Sequence, residues 1–239
     1  MRLRHDGDRR SGRCEMPAID RNATRDARKA SRADRNRYGA VCTLKRSAYR
    51  MVRRLFKFTI VNVFLLDIDP LRQRPLESSR FGFRFLSADE IRKLADDPAN
   101  DLDAALAGRL ELGHEFCFAA FDGGQLANYS WYAQHHIEPE HSLGAGLTMP
   151  DDTMYVYKGF TLPAYRGQRL NGATIQRAAQ IFAGMGIERF VGVVEYANWA
   201  SVRSCERLGF RRIGSFACLG HKLISRRCDS NVTGLGFGK

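Results

Sequence analysis

The sequence predicts a mixed α/β domain over roughly residues 75–226, and three observations carry that reading. Strand-like and helix-like stretches follow one another in the order β-α-α-β-β-β-α-β-α-β. Asp122-Gly123-Gly124 separates two apolar runs, a strong hairpin signal. Helix punctuation recurs: Ser87 and Glu90 stand at capping-box spacing, Asn198 precedes a helical pattern, and Gly113 and Gly209 follow two others.

In chain order, "LFKFTIVNVFLLDI" is β-branched and aromatic and reads as a strand, so residues 51–74 are expected to be an N-terminal strand and connector. "FGFRFLS" reads as a strand. "SADEIRKLADD" and "DLDAALAGRLELG" read as two helices. "HEFCFAAF" and "QLANYSWYA" form the hairpin, and 135–152 is expected to be a loop. "TMYVYKGFTL" is a strand whose Tyr155, Tyr157 and Gly159 alternate onto one face. A helix follows to about Gly186, then the strand "ERFVGVVEY", the helix "NWASVRSCERLGF" and a bent strand or hairpin "RRIGSFACLGHKLI". Residues 227–239 are expected to form a flexible tail.

The chain has 239 residues and a formal charge of +12, which first suggests nucleic acid. The charge is not evenly spread. Residues 1–50 hold 15 Lys/Arg against 6 Asp/Glu and carry +9, while the remaining 23 Lys/Arg and 20 Asp/Glu leave +3. The near-neutral body argues against a nucleic-acid protein. Residues 1–50 have few large apolar side chains and are expected to be a disordered basic extension, with Met51 an alternative start. The six cysteines (14, 42, 117, 205, 218, 228) form no C-x-x-C pair, so reduced thiols in a cytoplasmic protein are expected. The longest apolar run, Phe58–Leu66, is too short for a spanning helix. His135, His136 and His141 lack metal-ligand spacing, so no metal is expected.

"TLPAYRGQRLNGATIQRA", 161–178, places a glycine turn at the mouth of a helix. The first N–H groups of a helix have no internal partner and, with the helix dipole, attract anions. Gly167 lets a ligand approach the backbone without a Cβ in the way. Geometry alone also explains a glycine at such a turn.

The context of this turn resembles the GNAT superfamily of N-acetyltransferases. That family's phosphate loop reads Arg/Gln-x-x-Gly-x-Gly/Ala after a strand ending in Pro, followed later by an Asn, a short helix and a Gly-Phe. Here Pro163 ends the strand, Arg166-Gly167-Gln168-Arg169-Leu170-Asn171 occupies the loop, Asn198 the Asn, and Leu208-Gly209-Phe210 the helix stop. Two family glycines fall on Arg169 and Asn171, leaving Gly167 and the displaced Gly172. The family's late-helix tyrosine, the acid for the leaving thiolate, falls on Cys205, which can equally be a packing residue.

The resemblance implies a mostly antiparallel sheet splayed at a coenzyme A site and flanked by about four helices. It implies acetyl-CoA or another acyl-CoA as co-substrate and a small-molecule or sugar amine as acceptor. Backbone near Phe160 and Thr161 would meet the pantetheine arm. Amides from Gly167 to Gly172 would hold the pyrophosphate, with the Arg169 guanidinium as a further contact, and Asn198 would cap its helix or bond CoA. Glu195 is the candidate base. Tyr196 is a candidate acid or pocket wall. A non-catalytic acyl-CoA-binding domain is the alternative, and monomer and homodimer both stay open.

Overall fold

A computed structural model of the chain describes residues 39–73, 80–137, 146–220, 222–228 and 236–238. Most of the expected basic extension, residues 1–38, and His141 lie outside the described residues. The chain divides into two compact units, Met1–Tyr49 and Arg50–Lys239. Helix α1 (Ala40–Phe56) begins in the first and ends in the second. Residues 40–50, expected to be unfolded, are therefore helical. Long straight-chain residues and the absence of Gly and Pro between 40 and 56 favour that helix.

The second unit is built on an eight-stranded sheet. Its strands are β1 (Phe58–Asp67), β2 (Phe81–Phe85), β3 (Glu115–Asp122), β4 (Gln125–Ala133), β7 (Thr153–Thr161), β8 (Arg189–Glu195), β9 (Arg211–Leu219) and β10 (Lys222–Cys228). Their spatial order is β10-β9-β1-β8-β7-β4-β3-β2. Every neighbouring pair is antiparallel except β7 and β8, which run parallel. Two short strands, β5 (His136–Ile137) and β6 (Gly146–Thr148), lie in the segment expected to be a loop. They join β11 (Gly236–Gly238), from the expected tail, in a separate small sheet.

The expected boundary at residue 75 needs correction. Strand β1 sits in the interior of the sheet, between β8 and β9, and so belongs to the domain rather than to a connector. Val61, Val63, Phe64, Leu65 and Leu66 are each at most 4% exposed. Burial of such side chains stabilises by about 1.5–3 kcal/mol each, a total comparable with the whole net stability of about 5–15 kcal/mol usual for a domain.

Helices cover both faces. On one, α5 (Leu170–Ala183) packs Ile175, Ala178, Ala179 and Phe182 onto Phe64, Phe118, Tyr132 and Phe190. On the other, α3 (Ala88–Ala95) and α4 (Ala107–Glu111) cover Cys117, Ala119, Tyr129 and Trp131. Helix α3 opens with the expected capping box, satisfied in both directions between Ser87 and Glu90. The second expected helix is shortened. Asp103 accepts from Ala105 N–H and tightens the chain into a 3₁₀ turn, leaving α4 only five residues. The short α2 (Asp69–Arg72) follows β1, and α6 (Trp199–Leu208) links β8 to β9.

Two truncations test the place of β1. A chain starting at Met51 should keep a cooperative thermal transition within a few degrees of the full chain. One starting at Asp69 should lose it, as read by circular dichroism; a folded Asp69 chain would contradict the assignment of β1 to the core.

Candidate active site

The parallel seam between β7 and β8 closes for only three residue pairs, from Thr153↔Arg189 to Tyr155↔Val191. Beyond them β8 stays paired with β1 through Glu195, and β7 stays paired with β4 through Thr161. The facing edges of Val156–Thr161 and Gly192–Glu195 therefore carry main-chain groups outside any ladder. Gly192 stands at the apex, where a Cβ would come within 3.3 Å of the Val156 carbonyl oxygen.

A bulge shapes the β7 side of the opening. Tyr157 opposes Trp131 and Phe160 opposes Tyr129, so three steps on β7 match two on β4. Lys158 takes up the extra residue with a left-handed backbone, φ +42°. This corrects the expected alternation. Tyr155 and Tyr157 do share a face and stack at 5.5 Å. Gly159 has been turned to the other side, where a Cβ would meet Asn171 Oδ1 and Ser130 Oγ at 3.2 Å. Buried Asn128 holds the strand after the bulge, its Nδ2 donating to the Phe160 carbonyl and to Thr161 Oγ1, each at 2.8 Å.

The turn into α5 lies at the end of β7. Arg166 Nε donates to the Thr161 carbonyl at 3.0 Å and its guanidinium lies over the Phe160 ring. Gly167 and Arg169 are both left-handed, at φ +83° and +58°. Arg169 is the N-cap of α5 and supplies no side-chain cap. Among the described residues none accepts from the N–H groups of Gly167, Gln168, Arg169, Leu170 or Asn171. Five main-chain donors at the positive end of a 14-residue helix make an anion-binding geometry. Gly172 departs from its expected role. Its N–H is spent on the Arg169 carbonyl at 2.9 Å, and a Cβ there would press on Leu208 of α6 at 3.1 Å. It is a helix-packing glycine.

On the β8 side, Glu195 forms a close ion pair with Arg53, a residue that nothing in the sequence pattern places there. The carboxylate is 18% exposed. Tyr196 lies half-exposed and edge-on to Trp199. Asn198 caps α6, its Oδ1 accepting from Ser201 N–H at 3.2 Å, which accounts for it without a ligand. Cys205 packs against the core under α5, and burial, with the Glu206 charge adding to it, pushes its thiol up to about 12. That environment matches the packing role.

The sequence also gave no notice of a cluster on the face opposite α5. Tyr157 donates its hydroxyl to Glu115, and Glu115 also pairs closely with Arg109. Burial, then the hydrogen bond to Glu115, pushes the Tyr157 phenol up. Tyr155, 1% exposed, belongs to the core on that face. A glutamate heading an apolar strand and an asparagine inside "LANYSWYA" were the only signals for Glu115 and Asn128. Exposed His135 stands beside Asp151 at 3.4 Å, and among the described residues no group of three or more His, Cys, Asp or Glu can hold a metal ion.

A cleft of about 590 Å³ lies at the other end of α5, lined by Asp67, Asp69, Arg72, Asp152, Glu188 and Arg189. It stands about 20 Å of helix away from the turn, and its lining includes the Asp152–Arg189 ion pair.

Arg169 provides a test of the turn. A left-handed non-glycine residue costs about 1–2 kcal/mol. Arg169→Gly should raise the thermal midpoint by a few degrees and, if the guanidinium contacts phosphate, weaken CoA binding. A lower midpoint would contradict the left-handed assignment.

The model of the Acetyltransferase (GNAT) family matches residues 83–210, more than half of the chain. No curated protein sequence matches. Several solved structures are similar. A conserved protein of unknown function from Staphylococcus epidermidis shares 14% identity over 71% of this chain and 64% of its own, with a TM-score of 0.46. A GNAT-family acetyltransferase from Novosphingobium aromaticivorans shares 18% over 67% and 62%, with a TM-score of 0.44. An aminoglycoside N-acetyltransferase solved with CoA shares 18% over 58% and 92%, also at 0.44. The chain thus spans less than two thirds of the first two proteins. The family assignment rests on the sequence model, and the strands β7 and β8 and the loop at 166–171 fall inside the matched segment: the chain belongs to the GNAT family of acetyltransferases.

Proposed function

We propose that this chain is an N-acyltransferase that moves an acetyl or other acyl group from acyl-CoA to the amine of a small molecule or sugar within one ternary complex. One observation carries the reading: the open β7–β8 seam leads directly to five unpartnered N–H groups at the start of α5. An extended amide-bearing arm suits the seam, and a pyrophosphate suits the turn. The co-substrate supplies a thioester carbonyl activated by a thiolate leaving group.

The chain's residues then divide the work. Gly167, Gln168, Arg169, Leu170 and Asn171 hold the phosphates through their amides, with the Arg166 and Arg169 side chains adding charge. Phe160 and Thr161 orient the arm, their strand fixed by Asn128. Glu195 takes the proton from the attacking ammonium, directly or through a water, so that a neutral nitrogen forms the new C–N bond as the C–S bond breaks. Tyr196 or water returns a proton to the thiolate and recovers it from the second proton that the nitrogen sheds as the amide forms. Arg53 holds the Glu195 carboxylate in place and must share it with an arriving ammonium. Tyr157, half-buried beside the bulge and anchored by Glu115, lines the acceptor side.

That same Arg53–Glu195 pair, with the buried Cys205, favours one competing reading, a non-catalytic domain that only binds acyl-CoA. Thiol release from acetyl-CoA across amines, sugars and peptides separates the two. With a confirmed acceptor, Glu195→Gln should leave CoA binding intact and lower kcat by on the order of 100-fold. Full kcat at neutral pH in that variant would remove Glu195 as base. CoA binding without thiol release on any acceptor would support the binding domain.

A further inference from the structure

The Arg53–Glu195 pair bears on the choice of acceptor. Both residues lie in the second unit. Glu195 opposes Val61 across the β1–β8 ladder. Side chains alternate along a strand, so Glu195 shares a sheet face with Val191 and Val193, which cluster with Tyr155 and Tyr157. The candidate base therefore stands on the face where Tyr157 lines the acceptor side. Arg53 covers its carboxylate in a close ion pair, and the Arg53 side chain is 45% exposed. The Arg109–Glu115 pair on this face is more buried and is closed by the Tyr157 hydroxyl. Arg53–Glu195 is the more open of the two to an arriving substrate.

An acceptor must bring its ammonium to Glu195, where it meets a guanidinium already in place. A simple alkylamine gains the carboxylate only by setting its own cation beside that of Arg53. An acceptor with several ammonium groups fares worse, because residues 50–57 also carry Arg50, Arg54 and Lys57 and no acid. An amine with a carboxylate on the same carbon avoids the conflict. Its ammonium takes Glu195, its carboxylate takes Arg53, and the four charges alternate in sign. We propose that the acceptor is an α-amino acid, with Arg53 as the residue that selects it by holding its carboxylate. This rests on the acyltransfer reading. Glu195 removes one proton from the ammonium, and the neutral nitrogen attacks the thioester carbon. The C–N bond forms, the C–S bond breaks, and the second nitrogen proton reaches the thiolate. Glu195 then gives its proton to water. The N-acyl amino acid has lost the cation that Glu195 recognised and keeps a carboxylate that Glu195 repels, which favours its release.

Thiol release from acetyl-CoA by the full chain tests the assignment. The acceptors are α-amino acids with apolar, polar and acidic side chains, each beside its carboxamide and its decarboxylated amine. The best amino acid should exceed both of its partners in kcat/KM by at least about tenfold. The carboxamide has the less basic nitrogen, so it would lead if deprotonation alone decided the rate. Arg53→Gln should cut the ratio of kcat/KM for amino acid over amine by about tenfold, and Arg53→Lys should retain much of it. A guanidinium that only positions Glu195 would lower both rates alike and leave the ratio unchanged. An unchanged ratio in Arg53→Gln would overturn the proposal, as would amines or carboxamides that match or exceed every amino acid. CoA binding without thiol release on any acceptor would instead remove the acyltransfer reading, and this inference with it.

Discussion

A seam that stops closing after three residue pairs governs this structure. Strands β7 and β8 begin as ordinary parallel neighbours and then part. Each is held on its outer side, β7 by β4 and β8 by β1, so the opening cannot relax by recruiting either strand elsewhere. Unpaired main-chain groups away from water are costly, and a gap of this kind persists only where solvent or a ligand satisfies them. The bulge at Lys158, the close approach at Gly192 and the asparagine clamp at Asn128 all bear on the same opening.

The turn at the head of α5 holds a left-handed geometry at a residue that is not glycine. Arg169 adopts a left-handed backbone that glycine adopts freely. Gly167 shares that conformation, so two left-handed residues bracket Gln168 and direct successive amides outward. Arg166 ties the turn to the end of β7 through the Thr161 carbonyl. Asn171, where the resemblance implies glycine, fits because Gly159 below it has no side chain. The two positions compensate one another across the α5–β7 interface.

Much of this was legible in the sequence because it was local. The capping box at Ser87 and Glu90, the Gly123-Gly124 hairpin, the Asn198 cap and the Gly209 stop are all decided within four residues, and each stands in the structure as expected. The features that were not legible depend on distant pairing. Strand β1 reads as an N-terminal arm until β8 and β9 are seen to flank it. The bulge at Lys158 has no signature in "YVYKGF", because it is set by the register against β4. Arg53 lies 142 residues from Glu195, and the Arg109–Glu115–Tyr157 cluster draws on three separate elements. Gly172 was legible as a glycine but not as the one that admits Leu208.

The central claim is that the open seam and the amide turn together receive acyl-CoA. Backbone amide chemical shifts of the full chain, followed by NMR during titration with CoA, test it most directly. The account predicts that the largest changes fall on the N–H groups of Gly167 to Asn171 and on the β7 backbone from Lys158 to Thr161. Saturable changes confined to the cleft of Asp67, Asp152 and Arg189, with Gly167 to Asn171 unmoved, would contradict it.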